Sequence, residues 1–199
     1  DGSMTIDEAP RASVTIDGRF ITTTANGSGL ASDTVIHGLV VSGEKVSETV
    51  VKGLRIGGFG NGSNLKIENA SNVLVENVVV GQSSNNTRAG AQVGIHVASS
   101  DSANGLFGAT SGTTILNATV VGSSSTGIKI DGPNTTSTTI VGSTVGTEEI
   151  INSVGIEVLS SDTAIGVSSI TPRITKGLLA DEVYTYNAEY LAGSNEVKL

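Results

Sequence analysis

Four ionisable side chains near the middle of the chain have the residue types needed for acid–base chemistry. They are His96, Lys129, Asp131 and Glu157. His96 or Lys129 could remove a proton from a sugar carbon, and a cation beside it would stabilise the developing negative charge. Asp131 and Glu157 could instead serve as the two carboxylates of glycoside hydrolysis, which lie about 5–9.5 Å apart. These four residues are the candidate catalytic set.

Short segments of alternating aliphatic residues must position these side chains. The segments are Leu65–Ile67, Gly94–Val97, Gly127–Ile130 and Gly155–Val158. An alternation of period two turns the aliphatic residues to one face of a strand and the residue between them to the other. Stacked strands would then place the intervening residues in one outward column. We expect this column to bind a ligand through Lys66, His96, Lys129 and Glu157. The alternative is a solvent-facing column whose alternating charges avoid like-charge contacts.

A second, ten-residue pattern repeats along the chain and ends in a small residue. Its copies are Asp33–Ser42, Glu48–Gly57, Asn72–Gly81, Thr113–Gly122 and Ser137–Gly146. The fourth residue is aliphatic, including Leu116 in the fourth copy, and the sixth is small or Asn, including Gly38 and Ala118. Gly and Asn tolerate the positive φ of a sharp bend, so the sixth position predicts a corner between two faces.

Both patterns indicate short strands that stack on their own copies. Each unit is bounded by Gly, Ser, Asn or Asp, and equivalent positions recur without a helical segment between them. Stacked coils bury an inner face that a single coil leaves exposed. The first two copies are closely spaced, so we expect them on two faces of one coil. The segments Gln82–Gln92 and Ala98–Gly112 are predicted loops, and a β-sandwich is the competing fold.

The phrases Gly127–Asp131 and Asn69–Gly81 carry a family resemblance. Over roughly Ser13 to Val167, the chain resembles the pectin-lyase-like superfamily, which includes phage tailspikes and surface adhesins. The resemblance implies an all-β fold, a right-handed single-stranded parallel β-helix, with sites on the outer face of one sheet. The Asn-Thr-Asp, Asp-Asp and Gly-His-Gly signatures of its polygalacturonase-like hydrolases are absent from this sequence.

The two ends differ from the repeats. Residues 1–4 are interpreted as an expression remnant, 5–175 as the β-helix and 176–199 as a C-terminal cap or docking segment. Within that last segment, Leu179, Val183, Tyr186 and Tyr190 follow a helical spacing. They predict a short capping helix that covers the open sheet edge. The alternative is a docking element that joins three copies into a homotrimer.

Composition excludes several classes of function. The net charge is −8 without any basic cluster, which argues against nucleic acid as a partner. No apolar run is long enough for membrane insertion. The chain has no Cys, and its two His stand alone, so we predict neither a metal site nor a cofactor. One of the two, His37, is expected to be an ordinary surface residue.

Three hypotheses about function remain open. The leading one is an extracellular, cell-surface or virion-surface module that recognises a surface or extracellular polysaccharide without catalysis. Hydroxyl- and amide-rich surfaces suit sugar hydroxyls, although aromatic residues, the usual sugar-stacking platform, make up only 3% of the chain. The second hypothesis is a polysaccharide lyase or glycoside hydrolase. The third is an architectural spacer of a longer fibre or surface protein.

Overall fold

The chain folds into many short strands. The computed structural model describes residues 14–19, 35–82, 87–100, 108–147, 149–166, 169–170 and 175–176. The strands are β1 (Val14–Asp17), β2 (Leu39–Ser42), β3 (Val50–Lys52), β4 (Leu54–Gly57), β5 (Ser63–Glu68), β6 (Leu74–Glu76), β7 (Val79–Val80), β8 (Val93–Ala98), β9 (Thr110–Ser111), β10 (Thr114–Leu116), β11 (Thr119–Val120), β12 (Thr126–Asp131), β13 (Thr135–Thr136), β14 (Thr139–Val141), β15 (Thr144–Val145), β16 (Val154–Val158), β17 (Ala164–Gly166), β18 (Ser169–Ile170) and β19 (Thr175–Lys176). A single 3-10 turn spans Glu44–Val46 among these residues.

The strands form three parallel sheets that the chain visits in turn. Sheet 1 has the order β17-β14-β10-β6-β3, sheet 2 the order β1-β4-β7-β11-β15-β18, and sheet 3 the order β19-β16-β12-β8-β5-β2. A fourth, two-stranded sheet pairs β9 with β13. Three successive strands, such as β10, β11 and β12, therefore make one coil, and each pairs with its counterpart one coil away. The chain is an all-β parallel solenoid, as predicted, and is not the competing sandwich.

Aliphatic columns fill the interior of the solenoid. In sheet 1, Val51, Val75, Ile115 and Ile140 stack in register and are buried. Sheet 2 contributes Ile56, Val80, Val120 and Val145, and sheet 3 contributes Leu65, Ile95, Ile128 and Ile156. Each fully buried aliphatic side chain contributes about 1.5–3 kcal/mol relative to exposure. The outer faces carry mostly polar residues, together with exposed valines such as Val50 and Val141.

The predicted corner between sheets 1 and 2 is present in each complete coil. Gly53, Asn77, Asn117 and Gly142 occupy it with φ values of 65°, 51°, 51° and 61°. Their N–H groups donate to the coil above, as from Asn77 to the carbonyl of Leu116 at 3.0 Å. Only Gly, and less readily Asn, adopts this left-handed conformation without large strain. This explains the small sixth residue of the repeat.

The predicted alignment was wrong for two copies. In the fourth copy, Ile115 rather than Leu116 pairs with Val75 and Ile140, and Asn117 rather than Ala118 takes the corner. The alignment ended on Gly122, which lies two residues after the end of β11, whereas Gly146 directly follows the end of β15. In the first copy, β2 lies in sheet 3 and Gly38 has no positive φ. The first two copies do lie on different faces, as expected.

The described residues include only part of the ends and of the predicted loops. The predicted capping helix lies outside them, and the domain boundaries and the handedness stay predictions. In the segment Gln82–Gln92, Gln82 and Arg88 form an antiparallel bridge. In the segment Ala98–Gly112, the end of the predicted loop is strand β9, which pairs with β13.

We expect Asn117→Val to lower the free energy of unfolding by about 1–2 kcal/mol, because a β-branched residue is strained at positive φ. Asn117 is exposed, so the change removes no core contact. Urea titration followed by circular dichroism measures the loss. The matched variant Asn117→Gly accepts the same φ and should cost much less. Equal losses in both variants would contradict the assigned role of the corner.

Candidate functional site

The predicted outward column exists on sheet 3. Lys66, His96, Lys129 and Glu157 are register partners on the adjacent strands β5, β8, β12 and β16. The residues on either side of each in sequence face the core, as Ile95 and Val97 do beside His96. Adjacent parallel strands lie about 4.8 Å apart, so these four side chains form one continuous line. Their role in ligand binding stays a prediction.

Glycines at the start of these strands allow the coils to approach closely. A Cβ at Gly94 would lie 2.5 Å from the carbonyl oxygen of Gly127, and one at Gly127 would lie 2.6 Å from that of Gly155. Both separations are far below van der Waals contact, so only Gly fits. The close stacking of β8 on β12 and of β12 on β16 depends on these two glycines.

A second outward column lies two residues further along the same strands. It contains Glu68, Ala98 and Asp131, with Ser42 of β2 beyond Glu68, and within it Ala98 is covered and buried. Asp131 accepts a hydrogen bond from His96, with Nε2 to Oδ1 at 2.7 Å, and pairs with Lys129, with Nζ to Oδ2 at 2.9 Å. Glu68 pairs with Lys66 at 2.8 Å between Nζ and Oε1. We call Lys66, Glu68, His96, Lys129 and Asp131 the sheet-3 cluster.

Sequence reasoning missed one member of this cluster. Glu68 lies two residues after Lys66, in the relation that Asp131 has to Lys129. That shared Lys-Ile-Glu/Asp phrase was a signal that could have identified it. The structure therefore joins His96, Lys129 and Asp131 directly, and it adds a second ion pair of the same type one strand beyond His96.

The cluster is recessed rather than freely exposed. Its side chains are between 18% exposed, for Lys66, and 28% exposed, for Lys129. In the outward pair on sheet 1, Lys52 is 58% exposed, so the cations of the cluster are more covered than that one, while Glu76 is as covered as the carboxylates of the cluster. Partial burial of paired charges raises the strength of each interaction, and such clusters are common at functional sites.

Burial raises the pKa of Asp131, but the hydrogen bonds and positive charges of His96 and Lys129 outweigh it and lower the pKa to about 2. The carboxylate therefore remains ionised throughout the neutral range. A general acid in glycoside hydrolysis needs the opposite shift. Asp131 is thus suited to orient a histidine and accept hydrogen bonds, and it is unsuited to donate a proton.

Glu157 occupies the end of the line and is only loosely connected. Its Oε2 accepts a long hydrogen bond of 3.4 Å from Thr126 Oγ1. Among the described residues it forms no ion pair, and its register partners are Lys129 and Thr175 rather than Asp131. The structure therefore does not join Asp131 and Glu157 into a bonded pair.

His37, expected on the open surface, is half-buried beside the cluster. Its Nδ1 accepts a hydrogen bond of 3.0 Å from the backbone N–H of Ser63. Burial lowers the pKa of His37, with further lowering by the charges of Lys66 and His96 and a smaller opposing effect of Glu68. A backbone N–H can only donate, so Nδ1 is unprotonated and His37 is neutral in this arrangement. Both histidines of the chain therefore lie at the same face.

Comparison with known proteins found no matching family model, no similar curated protein and no similar solved structure. Among the described residues, no helix has the length and apolar character needed to span a membrane. The same part of the chain contains no group of three or more His, Asp or Glu side chains placed to hold a metal ion. The inferences about this site therefore depend on its own geometry.

We expect Asp131→Asn to destabilise the protein at pH 7 by on the order of 1–2 kcal/mol, because it removes a carboxylate that accepts a hydrogen bond from His96 and pairs with Lys129. The lowered pKa adds stability that is present above about pH 4 and is lost as the pH falls through about 2. The deficit of the variant should therefore shrink over that interval. Urea titrations between pH 2 and pH 7 measure it, and a deficit independent of pH would contradict this account.

We expect the bond between His37 and Ser63 to weaken in acid. The lowered pKa means that the folded protein favours neutral His37. The stability that this gives is fully present above about pH 6.5 and is lost as the pH falls through the pKa of His37 in the folded protein. The variant His37→Gln retains an acceptor that does not titrate. In an NMR titration, the Ser63 amide resonance should shift with pH in the wild type and not in this variant. If the pH-dependent shift of the Ser63 amide is lost in His96→Gln and kept in His37→Gln, the assignment of that shift to His37 is contradicted.

Proposed function

We propose that this protein is a non-catalytic glycan-recognition module of an extracellular, cell or virion surface, built on a pectin-lyase-like β-helix. The observation that supports the proposal is the recessed sheet-3 cluster, in which donors and acceptors are held in register on a rigid sheet. Preorganised polar groups lose little conformational entropy on binding. A surface or extracellular polysaccharide is the proposed partner.

The chemistry of the cluster favours a neutral or weakly charged glycan. Lys66 and Lys129 are each matched by a carboxylate, so the cluster has little net charge to attract a polyanion. The net charge of the whole chain is −8, which adds long-range repulsion. Carboxylate oxygens accept from sugar hydroxyls, and ammonium groups donate to them. Extended glycans could follow the line of coils.

The low pKa of Asp131 is the reason for proposing binding rather than hydrolysis. A carboxylate that accepts from both His96 and Lys129 has no proton to give to a leaving group. Among the described residues, Glu157, the other candidate carboxylate, is bonded to Thr126 and not to Asp131. The arrangement therefore lacks the pair of differently tuned acids that hydrolysis requires.

A polysaccharide lyase is the second candidate, and one contact favours it. The 2.7 Å bond between His96 Nε2 and Asp131 Oδ1 would orient the imidazole and leave Nδ1 as its free nitrogen. His96 would then act as the base through its other ring nitrogen, and Lys129 would stabilise the enolate-like charge. An architectural spacer, with assembly into a homotrimer, is the remaining alternative.

Affinity electrophoresis in gels that contain dextran, mannan, alginate or polygalacturonate tests the proposal. We expect a neutral polysaccharide to retard the protein without releasing unsaturated or reducing ends. Lys129→Gln should weaken the retardation several-fold. Lys52→Gln is the matched control, because Lys52 also points outward and pairs with a carboxylate, Glu76, but on sheet 1.

The outcomes separate the three candidates. New chain ends that disappear in both His96→Ala and Asp131→Ala would establish an enzyme and overturn the proposal. If Lys52→Gln weakens the retardation as much as Lys129→Gln does, sheet 3 is not the binding face. Absence of both retardation and cleavage in every gel would leave the spacer as the explanation.

A further inference from the structure

A column of hydroxyl side chains lies around the corner from the sheet-3 cluster. Ser111 on β9 pairs in register with Thr136 on β13, and Ser71 bridges to Ser111 on the other side. The alternate residues Thr110 and Thr135 are buried, so the three register partners face outward together. Neighbouring strands place these hydroxyls about 4.8 Å apart.

A shallow depression opens beside this column. Its lining residues are Ala109, Ser111, Pro133, Asn134 and Thr136. It combines the apolar surface of a proline ring and a methyl group with two hydroxyls and one amide, and none of its lining residues is charged. Such a mixture suits a neutral pyranose, whose C–H face contacts apolar groups while its edge forms hydrogen bonds.

The polar side chains of the depression are available to a ligand. Within the described part of the chain, the side chains of Ser111, Asn134 and Thr136 have no hydrogen-bond partner. All three are half-exposed, so water satisfies them in the free protein. A sugar edge could replace that water without breaking any internal bond.

The backbone around the depression is firmly held. Gly132 has a φ of 101°, and a Cβ there would lie 2.4 Å from Ser99 Oγ. The same Oγ accepts from the N–H of Asn134 at 2.9 Å, and Thr135 donates its hydroxyl to the carbonyl of Asp131. Asp131 belongs to the sheet-3 cluster, so one short rigid turn connects the two surfaces.

From this geometry we propose that the depression beside Ser111 and Thr136 is a second saccharide subsite, specific for a neutral, hydroxyl-rich sugar unit. The inference rests on the proposed glycan recognition and extends it around the corner from sheet 3. A bound glycan would place an uncharged unit in the depression and further units along the sheet-3 cluster. The subsite recognises by hydroxyl and amide hydrogen bonds alone, without any ion pair.

The test uses Thr136→Val, which removes the hydroxyl and keeps the shape of the side chain. We expect its dissociation constant in gels containing dextran, mannan, galactan or xylan to rise about tenfold for the polysaccharide that retards the wild type. Thr114→Val is the matched control, since Thr114 is an outward, half-exposed threonine on sheet 1. The double variant Ser111→Ala/Thr136→Val should weaken binding further, and circular dichroism checks that each variant is folded.

Each outcome bears on the inference. Retardation lost in Thr136→Val and kept in Thr114→Val supports the subsite. If Lys129→Gln weakens the retardation and Thr136→Val is retarded like the wild type, the subsite is overturned and the proposed function stands. Equal losses in Thr136→Val and Thr114→Val would also overturn it. If neither the neutral nor the acidic polysaccharides retard the wild type, the proposed function fails, and the subsite fails with it.

Discussion

The whole structure depends on one constraint, which is that a single coil cannot bury its own inner face. Each coil presents aliphatic residues such as Ile115, Val120 and Ile128 to the interior, and only the coils above and below cover them. Stability therefore accumulates through nearest-neighbour stacking. Close stacking also requires glycines where backbones meet and left-handed residues at each corner, which accounts for the positions of Gly127 and Asn117.

The same stacking creates the outer surfaces. When inner residues align from coil to coil, the residues between them align as well, so a column of buried isoleucines implies a column of outward side chains. On sheet 3 this places His96 between Lys66 and Lys129. On the fourth sheet it aligns Ser111 with Thr136. One surface is ionic and internally neutralised, the other is uncharged, and a rigid turn at Gly132 connects them.

The sequence supported some of these features and obscured others. The alternation around Ile128 and Ile156 was enough to predict the column of Lys66, His96, Lys129 and Glu157, because that alternation is a local property of each strand. The alignment of Ala118 with the corner was wrong, because the glycine used as the reference point lies one residue further past its strand at Gly122 than at Gly146. The bonded partners of His37 and Asp131 were not foreseen, since they depend on contacts between different coils.

The sequence by itself determined the period, the inward and outward faces and the residues at most corners, because backbone propensity and alternation act within a few residues. Only the tertiary structure decided which coil meets which, and therefore that Asp131 bonds His96 from the neighbouring coil. It also decided that the cluster is recessed and that His37 is a half-buried acceptor. The physical reason is register, which is set by the lengths of turns and loops and by packing across the whole solenoid.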